Sequence, residues 1–368
     1  MELKDIDLGI SRLSRQLRLS ARITPLNRER EKQRFFDALS KGRRYDPVFE
    51  YEEVCFDREK EELEQLRSSS AGKGVLGDAL RAKIDFLASE LEMVSGGDES
   101  FTDISAVIYG LPDQRCVEYS RQILSGEKVP GIAAGQETVT PQRMADIIKG
   151  EIRKRDLGWD CVLTSRIVPK MTVSGRDRTV YINTALNYVP EEVERLVVHE
   201  IETHVFRGIN GTYQPYRVFA EGLAGYNETE EGLAILAEFR SGCLEKDTRQ
   251  MLIYAARALS VAMSLKKGFY EVFAAMREYF PEEIAYRLVE RVKRGFKDTS
   301  LPGCITRDFH YISGWLKLRE YADKGGDMSI LYAGKIGIGD VEWVRAAIDE
   351  GVLVYPRHLP RWCSGETE

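Results

Sequence analysis

Apolar residues recur every three to four positions through most of the chain and every second position in one short stretch. Asn27 precedes R-E-R-E-K-Q-R-F-F-D-A-L, where Phe35, Phe36 and Leu39 share a side, which predicts a capped amphipathic helix stopping at Gly42. Leu76, Leu80, Ile84, Leu87 and Leu91 keep helical spacing until Gly96 and Gly97. Between these, S-S-S-A-G-K-G (68–74) reads as a plain loop, because no strand precedes it and no G-x-x-x-x-G-K-S/T string exists. From Trp159 to Tyr188 the period falls to two. D-C-V-L-T-S-R-I, M-T-V-S and T-V-Y-I-N are short β-branched runs, with G-R-D-R as a hairpin turn between the last two. After Pro190 helical spacing returns, notably over Thr248–Leu265, Gly268–Phe280 and Pro281–Arg294. The expected class is α+β and mostly helical, with a mainly helical N-terminal region over 1–150 and the sheet and later helices over 151–368.

Composition narrows the function classes. At 368 residues, with 43% hydrophobic and 30% charged residues, the chain has ample material for a core. A net charge of -6 is the wrong sign for a general nucleic-acid binder, so no nucleic-acid partner is expected. No apolar run approaches the ~20 residues of a membrane span, and the charged N-terminus does not resemble a secretory signal. Six scattered cysteines without a C-x-x-C pair argue against a disulfide framework and a cysteine zinc site, so a reducing, cytoplasmic setting is expected.

The chain has four histidines, and two of them, His199 and His204, lie in P-E-E-V-E-R-L-V-V-H-E-I-E-T-H-V-F-R-G (190–208). Pro190 and the glutamates after it suit a helix start. The string H-E-x-x-x-H supplies two imidazoles for Zn²⁺ and a glutamate, Glu200, to take a proton from water. It is one residue longer than H-E-x-x-H. In a regular helix, positions five apart lie about 140° apart around the axis. A π-type turn between the two histidines is therefore expected, with Glu202 pointing to solvent. The alternative is two structural histidines on a core helix.

A third ligand could come from F-A-E-G-L-A-G-Y-N-E-T-E-E-G-L-A (219–234), which holds Glu221 and Glu231 in matching Glu-Gly-Leu-Ala strings. Thr229 or Asn227 reads as the cap of a helix running past Glu231, and a ligand on a rigid helix is favoured over one in the Gly-punctuated stretch around Glu221. Two histidines and a glutamate would leave the fourth zinc position for water.

With H-E-I-E-T-H-V-F-R-G-I-N, Gln214-Pro215 and G-Y-N-E-T-E-E-G-L-A, the sequence resembles the microtubule-associated tyrosine carboxypeptidase family. Bacterial members of that family are often labelled flavohaemoglobin expression-modulating Q-E-G-L-A motif proteins. Further family-like stretches are I-T-P-L-N-R-E-R-E (23–31), D-P-V-F-E-Y (46–51), T-R-D-F-H-Y-I-S-G (306–314) and L-Y-A-G-K-I-G-I-G-D (331–340). The resemblance implies a zincin-like, gluzincin-type carboxypeptidase domain with a helical cradle before it and one zinc ion per chain. It implies His199, His204 and Glu231 as metal ligands and Glu200 as base. It also implies a substrate that is a peptide or protein C-terminal tail ending in an aromatic, tyrosine-like residue. Relatives carry Gly where this chain has Glu202.

Other groups suit a carboxypeptidase. Arg207 and Arg307 are candidates for the terminal carboxylate, and His310 or Tyr311 for polarising the scissile carbonyl. The basic run Arg287–Lys297 could attract an acidic tail. Asn210 and His358 read as structural. T-V-Y-I-N (179–183) is the candidate strand for aligning substrate. The alternative functions are a zinc amidase acting on a small molecule or cell-wall peptide and a non-catalytic binding protein.

Overall fold

A computed structural model of the chain describes residues 1–17, 19–125, 138–167, 169–175, 177–244 and 249–364. The chain folds as two compact units that are not consecutive halves. One comprises Met1–Gly131 with Lys246–Ser313, and the other Ile132–Glu245 with Gly314–Glu368. The expected break near 150 differs from this, because 246–313 belongs with the N-terminal residues.

The described part of the first unit is helical. Helix Arg28–Ser40 places Phe35 against Phe269, Phe273 and Tyr286, with ring centroids 4.7 to 5.4 Å apart, so the apolar side read from the sequence becomes an aromatic core. Asn27 does not cap this helix. Its Nδ2 donates to the Val48 carbonyl and its Oδ1 accepts from the Glu50 amide, which pins an extended segment instead. The periodic leucines lie in helix Gly74–Ser95, ended by Gly96. Only Ala71–Lys73 interrupts it from the preceding helix Asp57–Ser70, so the expected loop is shorter than 68–74. Thr248, the expected start of the next long helix, lies outside the described residues, and that helix runs Arg249–Ser264.

The second unit is built on a three-stranded sheet of order β1-β3-β2: β1 (Asp160–Thr164), β2 (Met171–Ser174) and β3 (Thr179–Asn183). Strand β3 pairs in parallel with β1 and antiparallel with β2. Its buried run, with Val180 and Ile182 at 0% exposure, fits an interior strand. This corrects the expectation for 179–183. With ladders on both sides, β3 has no free edge for a peptide.

Helix Pro141–Lys154 packs on this sheet, its first turn capped by the Thr140 hydroxyl, which accepts from the Arg143 amide at 3.2 Å. Three consecutive helical segments follow: Pro190–Leu196, a π-helix Val197–Val205, and Phe206–Tyr213. The helix Tyr226–Arg240 packs along the π-helix. It starts before the expected caps, so Asn227 and Thr229 lie in its first turn, and the Thr229 hydroxyl accepts from the Ile338 amide. No helix among the described residues is long and apolar enough to cross a membrane.

Candidate metal centre

The π-helix resolves the spacing objection. Along Val197–Val205 the turns are wide, and the bond from the Phe206 amide to the Ile201 carbonyl spans five residues. His199 and His204 thereby share a side, with ring centroids 4.9 Å apart and planes at 75°. Glu202, expected in solvent, is 6% exposed and accepts from Arg155 Nη2 at 2.6 Å. This ion pair ties the widened turn to the end of the helix packed on the sheet.

Among the described residues, one group of three potential metal donors converges: His199, His204 and Glu231, whose ligand atoms lie within 4.8 Å of one another. His199 Nε2 is 3.8 Å from Glu231 Oε2, and that oxygen is buried without a hydrogen-bond partner. A buried acceptor left unsatisfied beside two imidazoles fits a cation. Glu221 is not in the group. It ends the short helix Val218–Glu221, and its Gly222 turns the chain at φ +107°. In the second Glu-Gly-Leu-Ala string the glycine has a different reason: a Cβ on Gly232 would lie 2.2 Å from the backbone of Gly314. The two strings share letters, not a structural role.

The outer nitrogen of each histidine is held by a carboxylate. His199 Nδ1 lies 2.7 Å from Glu238 Oε1, which also accepts from Arg195 Nη1 at 2.9 Å. His204 Nδ1 lies 2.8 Å from Glu230 Oε1. Donation at Nδ1 leaves the Nε2 lone pair of each ring for a metal. Burial would lower the pKa of His204, but the hydrogen bond and charge of Glu230, with Glu200 and Glu231, raise it overall. The same negative field favours a divalent cation. Glu230 and Glu238 stay ionised: burial raises each pKa, but Lys335, Arg207 and His204 outweigh it at Glu230, and Arg195 and His199 at Glu238. Glu200 is buried on the same π-helix.

A model of the family described as "Microtubule-associated tyrosine carboxypeptidase" matches residues 33–368. The chain belongs to this family. It is 32% identical over 163 residues to "Microtubule-associated tyrosine carboxypeptidase 1" of Rattus norvegicus, covering 42% of this chain and 33% of the relative. To the Homo sapiens protein of the same name it is 27% identical over 229 residues, covering 58% and 46%. In these matches the chain spans less than half the length of either relative.

The family-like stretch 331–340 wraps this site. Lys335 Nζ lies 3.2 Å from Glu230 Oε1, and the carbonyls of Leu331, Gly334 and Ile336 accept from the Arg207 guanidinium. Arg207 is 0% exposed and also donates to Glu230. The expectation that it binds a substrate carboxylate is therefore corrected: all three of its nitrogens donate to the protein at a fully buried position, and it positions Glu230. Asn210 is structural as expected, bonding the backbone of Arg357 and His358.

Arg307, His310 and Tyr311 belong to the first unit. His310 Nε2 donates to the Tyr109 carbonyl at 2.7 Å, and Tyr311 stacks on Tyr254. Of the basic run expected to attract an acidic tail, only Lys297 is exposed. Lys293 is fully buried and donates to the Lys267 and Leu301 carbonyls, Arg294 is buried, and Arg291 pairs with Asp308. Glu230 and Lys335 are the positioning residues that sequence reasoning did not assign.

Proposed function

We propose that the chain is a cytoplasmic, zinc-dependent carboxypeptidase with a zincin-like catalytic unit, removing an aromatic residue from the C-terminus of a peptide or protein tail. The observation that carries this reading is the convergence of His199, His204 and Glu231 on one point with both Nδ1 atoms already engaged by carboxylates. Those three residues would hold the ion, which when bound supplies Lewis acidity and lowers the pKa of water toward ~7. Glu200 takes the proton of the attacking water and returns it to the leaving amine. Glu238 and Glu230 keep the imidazoles in the Nδ1-protonated form. The names of the relatives supply the preference for tyrosine, and the six free thiols suit a reducing compartment.

The test is mass spectrometry of peptides differing only in their last residue, each with a free or amidated C-terminus, alongside metal analysis. Glu200→Gln should retain about one zinc per chain and lose turnover, and His204→Ala should lose the zinc. Full activity in Glu200→Gln, or equal cleavage of amidated peptides, would refute the reading.

A further inference from the structure

The wide turn that brings His199 and His204 to one side has to be held, because a π-type turn is a strained departure from the regular helix. Two residues between the histidines act on it, and neither belongs to the converging donor group. Thr203, fully buried, sends its hydroxyl to the Val198 carbonyl at 3.4 Å, a long side-chain bond that itself spans five residues. Glu202 reaches out of the turn to Arg155 Nη2 at 2.6 Å.

Arg155 is well placed to act as a fixed point. It follows the last turn of helix Pro141–Lys154, which packs against both the sheet and the π-helix. The chain leaves that helix through a Schellman-type end. The Leu157 amide donates to the Ile152 carbonyl at 3.2 Å and the Asp156 amide to the Arg153 carbonyl at 3.1 Å, with Asp156 at φ +48°, where glycine is usual. Glu151, one turn back, pairs with the same guanidinium. Arg155 and Glu202 are both mostly buried, so their contact is unlike a mobile surface ion pair, and removing Arg155 strands a buried carboxylate in the middle of the π-helix. The carboxylate can regain water only by moving outward, which distorts the turn that carries it.

We propose that Arg155 is a positioning residue for the metal centre: through Glu202 it holds the π-turn at the width that lets His199 and His204 converge. This rests on the reading of the two histidines as metal ligands, while the ion pair itself donates nothing to the ion.

Three measurements on the full chain test it: hydrogen exchange of the metal-free protein, zinc affinity by chelator competition, and the visible spectrum of the cobalt(II)-loaded protein. In Arg155→Ala and in Glu202→Ala the Phe206 amide, which closes a five-residue bond to Ile201, should exchange about tenfold faster. Zinc should bind about tenfold more weakly in both, and the cobalt bands should shift with the altered ligand geometry. The double variant should lose no more than either single one, because the two residues act as a unit. Glu151→Gln, which alters a partner of Arg155 within its own helix, should stay within about twofold in exchange and affinity. Unchanged exchange in the single variants, or additive losses in the double, would overturn the proposal. So would unchanged zinc affinity and cobalt spectrum in the variants when the parent binds one ion. A parent that takes up no zinc would instead defeat the peptidase reading, and the exchange rates would still decide whether Arg155 holds the turn.

Discussion

Glu238 is the most informative residue to alter, because it carries two separable jobs. Its Oε1 accepts from His199 Nδ1 at 2.7 Å and from Arg195 at 2.9 Å, at 0% exposure. Glu238→Gln keeps an oxygen for the imidazole but removes the charge opposite Arg195, itself 6% exposed. Breaking one side of a buried ion pair costs about 3 to 5 kcal/mol, so the metal-free protein should lose stability of that order. Zinc affinity, in contrast, should fall only about tenfold, or about 1.4 kcal/mol, because the ring remains oriented. Glu238→Ala removes the acceptor as well, and its zinc affinity should fall about a hundredfold. Urea unfolding of metal-free protein measures the stability and chelator competition the zinc affinity. If Glu238→Ala binds zinc as tightly as the parent while losing stability, Glu238 serves Arg195 alone and does not orient His199.

Burial raises the pKa of Asp308, but the arginines around it outweigh this and bring it to about 2, below its ordinary 3.8. Its stabilisation should be complete above pH ~4 and disappear as pH falls through about 2, so urea unfolding of Asp308→Asn and parent should converge there. Gly232→Ala should be destabilising by at least about 1 to 3 kcal/mol and should weaken zinc binding, because the Gly314 backbone cannot yield. Gly150→Ala, in a helix with no atom within 4 Å of the new methyl, should stabilise by about 0.5 to 1 kcal/mol in the same melts. Glu202→Ala should cost only about 1 kcal/mol in urea unfolding, since Arg155 keeps Glu151 as a partner.

The metal donors were legible because their chemistry leaves a spacing. Histidines five apart demanded a wide turn, and Val197–Val205 is a π-helix. What surrounds them was less legible, because charge in a sequence says nothing about burial. Arg207 and Lys293 read as groups for solvent or substrate, yet both lie at 0% exposure with carbonyl oxygens as partners, and no periodicity announces that those of Arg207 come from more than a hundred residues away. The alternation of T-V-Y-I-N gave a strand, but strand order depends on which neighbours pair, so the central place of β3 was hidden. The same holds for 246–313, whose helices read correctly one by one without revealing that they join the N-terminal unit.

The crossing at Gly232 bears on how this sequence can drift. A Cβ there would meet the Gly314 carbonyl carbon at 2.2 Å, and one on Gly314 would meet the Glu228 carbonyl oxygen at 2.0 Å, so two helices touch backbone to backbone. Any codon change at either position that adds a side chain disrupts packing before it affects chemistry. The Gly-Leu-Ala part of the string, with Leu233 and Ala234 both at 0% exposure, is therefore under purifying pressure from the core alone. A descendant that has lost Glu200 or Glu231 would still display it. The string marks ancestry in this fold, whereas the glutamates before it and beside His199 mark whether a copy still has the groups for catalysis.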